Sequence, residues 1–469
     1  MNLRKIIASA MVGAAMMLSA FVGTGAAAST DVNINVYGSS AMYLYWNASA
    51  PGILNSMGCT NITQAKYDAN DAISMGTCGA DNHNVYIRVT SKASFDGIES
   101  LLNNDQYAAT GYEKCTSNEP SYPGASLEGF YRNMVDETSC TWGTGNVFSP
   151  SYVPGSCSAL KCERVTLGCS DVAGQSFTQE SHGLLKGPMG GPWTDRKFTG
   201  INPVGLTSYN PIVVPFAFYA NTSVKHAVDN SGNPVVWGSS SDNGTHPTIT
   251  NMPRMMAVMI FGGQVYNWTD LGGDFVPNTP VVACFRHSGS GTHATLTYAV
   301  MNNGQWGGND LINENTMANV NTYGGEAVYF NDGSSDEMNC VAGDTANGIT
   351  WSGTGAVGYS DADQGLVSTD VRLTYNGENA TRVNIRNGRY DFWTTEWVYE
   401  NPADPNYSVT HPVVQDMMTY AGNANTIPTA TAWGADKTKV WATSAEMVFM
   451  KANDQVYPAY QGAQSPLLP

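Results

Sequence analysis

Charge is scarce in this sequence, and basic charge most of all. Only 13% of the 469 residues are charged, with 39 acidic against 22 basic and a formal net charge of −17. That balance argues against nucleic acid and anionic membrane surfaces as partners, and any bound anion would have to be held by local donors rather than by the overall field. No pair of cysteines has the two-residue spacing of zinc or haem sites, and no histidine follows at ligand distance, so neither a metal nor a cofactor is expected. Beyond the first residues no apolar run approaches the length of a membrane span. Internal repeats, low-complexity tracts and a Gly-x-Ser-x-Gly nucleophile elbow are also missing.

Residues 1–28 have a basic start (Arg4, Lys5), an apolar stretch from Ile6 to Val22 and small residues at Ala26 and Ala28. This is the pattern of a cleavable signal peptide, with a retained anchor as the alternative, and the mature chain is expected to begin near Ser29 as a soluble periplasmic or extracellular protein. No cysteine follows the cleavage site to carry a lipid. Roughly 440 residues remain, which is more than one hydrophobic core usually organises, so two lobes or more are expected. Nine cysteines in an exported chain point to disulfides. Spacing suggests Cys59 with Cys78 and Cys284 with Cys340; Cys115, Cys140, Cys157 and Cys162 share one irregular region, and Cys169 is the odd one out. Sequence does not fix these pairings.

One unit recurs along the chain: a strand, a turn of small residues, then a helix. DVNINVY (31–37) leads through Gly38-Ser39-Ser40 into AMYLYWNASAPGIL; VYIRV (85–89) leads through TSKAS into FDGIESLLNND with Ser94 as N-cap; TPVVACF (279–285) leads through RHSGSGTH into ATLTYAVMNN. The alternation predicts an α/β fold with largely parallel sheets. Residues 103–164 break the pattern with Tyr, Ser, Pro, Gly and four cysteines, and read as an inserted, disulfide-stapled excursion. PIVVPFAFYAN (211–221) has the continuous apolar character of a strand buried on both faces. In the last hundred residues TEWVYE (395–400) is strand-like, HPVVQDMMTYAG (411–422) helix-like, and 441–452 compatible with a helix.

The three turns share one physical property. The first N–H groups of a helix lack internal acceptors and sit at the positive end of its dipole, which suits them to an anion. Ser40, Ser94, Ser290 and Thr292 each add a hydroxyl there, and Arg286 supplies a planar fork that matches two oxygens of a tetrahedral oxyanion. Each piece alone has a plainer reading: a serine at a helix start is most often a simple N-cap, and an arginine by a Gly-rich loop a solvated or ion-pairing residue. Their combination at strand ends, where open α/β sheets place ligands, favours the anion site. His287 and His293 flank the loop and would be needed as a base if Ser290 were a nucleophile; with no elbow and no third partner, catalytic residues are not expected. Trp268, Tyr359, Trp393 and Trp397 read as core and hinge packing.

The stretch IFGGQVYNWTDLGG (260–273) followed by TPVVACFRHSGSGTHATL (279–296) resembles the signature region of the phosphate-binding proteins of bacterial ABC phosphate importers. YGSSAMYLYW (37–46), TSKASFDGIESLL (90–102), VTLGCSDVA (165–173), PIVVPFAFYAN, GTGAVGYSDAD (353–363) and VNIRNGRYDFWTTEWVY (383–399) follow in the same order. The resemblance implies an α/β two-lobed periplasmic-binding-protein fold (type II), with mixed sheets flanked by helices and a ligand cleft between the lobes. It implies lobe 1 from 29–211 and 366–469, lobe 2 from 212–365, and crossovers at PIVVPFAFY and GAVGYSD. Carried over residue by residue, it implies that Ser40, the Ala41 N–H, Ser94, Arg286, Ser290, Gly291 and Thr292 contact phosphate, and that Asp171 is the family's buried carboxylate. Phosphate near neutrality still carries a proton that Asp171 can accept, whereas sulfate has none and meets bare repulsion. The sequence departs from the family in the 103–164 excursion and in a less glycine-rich loop after Thr90. The implied partners are inorganic phosphate, with arsenate as a near-isostere, and a membrane ABC permease, for a monomeric carrier. The alternative is a cell-surface or extracellular interaction protein on the same scaffold with incidental anion binding.

Overall fold

The computed structural model describes residues 31–104, 115–143, 155–177, 180–181, 196–197, 200–302, 327–331, 333–343, 345–346, 349–350, 353–367, 369–428 and 440–461. The N-terminal segment read as a signal peptide, and parts of the 103–164 excursion, lie outside these residues. None of the described helices is long and apolar enough to cross a membrane.

Two mixed sheets organise the chain. The first runs Thr207–Tyr209, Trp397–Glu400, Leu167–Ser170, Val32–Gly38, His83–Ser91, Asp71–Cys78, Thr60–Lys66, Gly155–Cys157, Cys140–Thr141. The second runs Ala327–Asn331, Val282–Arg286, Ala356–Asp361, Ile212–Asn221, Asp370–Arg372. Strand alternation predicted largely parallel sheets, and that holds for only part of each; in the first sheet Thr60–Lys66 is also parallel to Gly155–Cys157. Val32–Gly38 is parallel to both His83–Ser91 and Leu167–Ser170, and Val282–Arg286 is parallel to both Ala327–Asn331 and Ala356–Asp361. The remaining pairs in the first sheet include two antiparallel hairpin steps, 60–66 with 71–78 and 71–78 with 83–91, because short turns rather than helices connect them.

Ile212–Asn221 is buried along all ten residues, as its unbroken apolar run requires. Its first half pairs with Trp393–Thr395 and Ala442–Thr443, its second half with Ala356–Asp361 and Asp370–Arg372. The predicted C-terminal helix at 441–452 is instead a short strand, a 3-10 turn at Ser444–Glu446 and a second strand at Phe449–Met450. The Thr443 N–H donates to Glu446 at 3.2 Å at the start of that turn, and pairing with 212–221 fixes the chain extended just before it.

The described part of the excursion is docked against the first sheet. Tyr131–Val135 and Leu160–Arg164 form an antiparallel pair, and two disulfides, Cys115–Cys162 and Cys140–Cys157, staple it. Buried Arg132 forms a two-point ion pair with Asp96, at 2.6 Å and 3.1 Å, and Tyr37 donates to the same carboxylate at 2.7 Å. The excursion therefore braces the helix Ser94–Glu99. Cys59–Cys78 closes the hairpin of the first sheet, and Cys284–Cys340 ties the strand Val282–Arg286 to the helix Ser334–Ala342. Cys169 is a free, buried thiol, pushed up in pKa by burial.

Gly38 is required where the first strand ends. Its φ is +127°, and a Cβ there would lie 2.3 Å from the Cys169 carbonyl oxygen. The chain turns sharply into Ser39 and Ser40 because no side chain intervenes. Trp268 is core: its indole donates to the Gly355 carbonyl at 2.9 Å, and Asp270 caps the turn by accepting from the Tyr266 and Asn267 N–H groups. The Asn-Trp-x-Asp motif thus shapes the approach to the strand that carries Arg286.

Candidate functional site

In each sheet three parallel strands end on the same edge, at Gly38, Ser91 and Ser170 in the first and at Arg286, Asn331 and Asp361 in the second. The residues that follow or terminate these six strands meet in one buried cluster. This is the carboxyl-end placement expected of ligand sites in open α/β sheets.

Arg286, 1% exposed, is its centre. Its Nη1 donates to Ser334 Oγ at 2.6 Å and to Ser40 Oγ at 3.4 Å, and the two hydroxyls lie 2.9 Å apart. Ser334 Oγ donates on to Asp361 Oδ2 at 3.0 Å. Thr292 Oγ1 bridges the carboxylates, reaching Asp171 Oδ2 at 3.2 Å and Asp361 Oδ1 at 3.4 Å. Ser39 Oγ donates to Asp171 Oδ1, and the Asp171 N–H donates to Ser94 Oγ at 3.3 Å. Ser290 and Gly291 are buried at the start of the helix Gly291–Thr295, and Ala41 is buried in the turn Ser40–Met42. Of the eight positions singled out in the sequence, Ala41, Ser94, Asp171, Arg286, Ser290, Gly291 and Thr292 are buried and Ser40 is half-buried; all lie at or just after strand ends of the two sheets.

The structure adds Ser39, Ser334, Asp361 and Gln364, which donates to Asp361 at 3.2 Å. Ser334 is the first residue of the helix Ser334–Ala342, which follows the strand Ala327–Asn331 in YFNDGSSDEMNC (329–340). Its signal was an Asp-Gly-Ser-Ser turn, obscured by the polar character of the helix behind it. Ser94 was read as an N-cap; Ala93 holds that position and Ser94 is the first helical residue, which frees its hydroxyl for Asp171.

Gly291 carries a steric requirement. A Cβ at this position would lie 2.5 Å from Ser94 Oγ and 2.6 Å from Asp171 Cβ. Gly291→Ala is expected to force the anion loop away from the first sheet, an overpacking strain of about 1–3 kcal/mol that lowers anion affinity roughly ten- to hundredfold. Calorimetric titration checks this; an unchanged affinity would show that the close approach is not needed for binding.

The electrostatics are those of carboxyls removed from water. Burial, reinforced by the charge on Asp361, pushes Asp171 up to about 7, against the opposing hydrogen bond from Ser39 and the Arg286 charge. Burial likewise raises Asp361, Glu337, Glu396 and Asp363. Burial and then Arg286 lower His293 to about 3, so it is neutral, with its Nδ1 bonded to the Tyr359 hydroxyl at 2.7 Å. His287 Nδ1 accepts from the Gly289 N–H at 3.1 Å. Both δ nitrogens are thus held by partners other than Ser290.

Because Asp171 binds its proton more tightly folded than unfolded, the folded state holds more protons between about pH 4 and 7, and stability falls as pH rises through that window. The destabilisation is absent below about pH 4 and complete above about pH 7, up to about 4 kcal/mol. Urea denaturation of ligand-free protein at pH 4.5 and pH 8 is expected to show Asp171→Asn gaining on the native sequence at the higher pH. A difference between the two proteins that is the same at both values would contradict the assignment.

Residues 232–436 match the family model of a PBP superfamily domain. No curated protein matches the sequence. Among solved structures, a putative phosphate ABC transporter substrate-binding protein with bound phosphate from Clostridium perfringens is 13% identical, covers 87% of this chain and 100% of its own, and has a TM-score of 0.43. A phosphate binding protein from Stenotrophomonas maltophilia is 13% identical over 83% of each chain, with a TM-score of 0.36. An ABC-type phosphate transport receptor from Vibrio cholerae is 14% identical, covering 50% of this chain and 72% of its own, with a TM-score of 0.31. The roles of individual residues rest on the geometry of the cluster itself.

Proposed function

We propose that this protein captures inorganic phosphate outside the cytoplasmic membrane and hands it to an ABC importer, acting as a carrier and not as a catalyst. The observation that supports this best is the cluster itself: one guanidinium, the hydroxyls of Ser39, Ser40, Ser94, Ser290, Thr292 and Ser334, and the carboxyls of Asp171 and Asp361, drawn from separate strand ends of two sheets. Donors set around a point in a dry site are suited to the four oxygens of a tetrahedral oxyanion, and Asp171 is suited to accept the proton that phosphate retains.

In this reading the two sheets belong to two lobes. One is built from 29–211 and the C-terminal segment, the other from residues 212–365 together with the adjoining strand Asp370–Arg372, which pairs with 212–221. Capture is closure: the lobes hinge about the strands 212–221 and 356–361, and the bonds that Arg286, Ser40 and Ser334 make to one another are exchanged for bonds to the ion. Arsenate, with the same shape and proton, is admitted by the same rule. Calorimetric titration with phosphate in excess sulfate tests the proposal. Micromolar or tighter phosphate binding supports it, and no phosphate binding overturns it.

A further inference from the structure

The anion cluster is not closed on every side. Ser40 and Ser334 each also line a cavity of about 290 Å³, whose far walls come from the hairpin segment 66–70 and from residues 363–365. At about 30 Å³ per water this is room for roughly ten waters, far more than the oxygens of one phosphate need. Its lining carries both signs of charge, with Lys66 and Lys92 opposite Asp68, Asp336 and Asp363, so it suits a hydroxylated guest better than an apolar one.

Two of those three acids are already engaged by their own loops. Asp68 Oδ1 accepts from the Asn70 and Asp71 N–H groups, and Asp336 Oδ2 accepts from the Gly333 N–H. Asp363 differs. It is 3% exposed, and its Oδ1 is buried with no hydrogen-bond partner. A buried oxygen left without a partner is costly, and a ligand hydroxyl reaching it would remove that cost. Burial also raises the Asp363 carboxyl well above the usual carboxylate range, which favours the protonated form that can donate as well as accept.

From this juxtaposition we infer that the site also takes small phosphomonoesters of polyols, with the phosphoryl group in the Arg286 cluster and the hydroxylated substituent passing between Ser40 and Ser334 into the cavity, where Asp363 binds a hydroxyl. The inference rests on the phosphate reading of the cluster, and its test separates the two. The native protein is titrated with inorganic phosphate and with glycerol 3-phosphate, each also in displacement of the other. Both are expected to bind one shared site. Asp363→Ala is expected to weaken glycerol 3-phosphate at least tenfold and to leave phosphate within about threefold. Ser335→Trp, at an exposed position on the cavity wall, is expected to do the same by filling the space, and serves if Asp363→Ala does not fold. Phosphate binding that glycerol 3-phosphate cannot displace, or an Asp363→Ala loss shared equally by both ligands, overturns the inference and leaves the phosphate reading standing. If neither ligand binds the native protein, the phosphate reading falls first and this inference with it.

Discussion

Replacing Arg286 by Met is expected to lower phosphate affinity about a thousandfold. The guanidinium is 1% exposed and supplies the charge-assisted donors at the centre of the cluster, bonded to Ser334 at 2.6 Å and to Ser40 at 3.4 Å. Hydrogen bonds to charged groups contribute about 1.5–3 kcal/mol each, and two of them on one ion account for a factor of that size. The same change removes the charge that lowers Asp361 and Glu337 against their burial. Losing this charge leaves the buried carboxyls beside it less compensated, so the melting temperature should fall as well. Arg286→Lys separates the two effects: it keeps a positive charge but loses the planar fork, and should recover stability more than affinity. Titration calorimetry beside thermal melts decides the matter, and a folded Arg286→Met protein that still binds micromolar phosphate would contradict the role given to this residue.

The second large effect concerns selectivity. Asp171→Asn is expected to admit sulfate, raising its affinity by on the order of a hundredfold or more, because an amide N–H can donate to an oxygen that has no proton of its own. In the native protein the exclusion should depend on pH. With Asp171 titrating near pH 7 in the ligand-free protein, its carboxylate repels sulfate above that value, while below it the protonated acid can donate to sulfate as the amide does. Sulfate should therefore compete poorly at pH 8.5 and progressively better as pH falls below 7, and that dependence should vanish in Asp171→Asn. Competition titrations at three pH values check both statements. Sulfate still excluded by Asp171→Asn would show that the filter lies elsewhere.

The parts of the site that were legible in the sequence are those where one short turn carries both the backbone and the chemistry. Ser40, Arg286, Ser290 and Thr292 follow strands whose apolar runs are plain, and glycines mark the turns. Asp171 gave no such signal of its own, since a Ser-Asp at a strand end reads equally as a turn; only the family resemblance singled it out. Ser334 and Asp361 were not singled out because their partnership depends on strand order: the strand Val282–Arg286 lies between 327–331 and 356–361, and nothing local in the sequence states that neighbourhood. The same holds for the sheets. Alternating strands and helices anticipated the parallel pairs at 32–38, 83–91 and 167–170 and at 282–286, 327–331 and 356–361, but the antiparallel steps at 60–91 and the double pairing of 212–221 were not legible, the latter being set by long-range contacts. The C-terminal misreading at 441–452 has a local cause, since a short apolar stretch fits a helix and a strand alike and pairing decides.

One measurement bears on the central claim most directly: a crystal structure of the protein with arsenate, located by the anomalous scattering of arsenic. The account predicts a single peak within hydrogen-bonding distance of Arg286, Ser40 and Thr292, with one arsenate oxygen against the Asp171 carboxyl. A peak on the outer surface, or none at saturating arsenate, would contradict it.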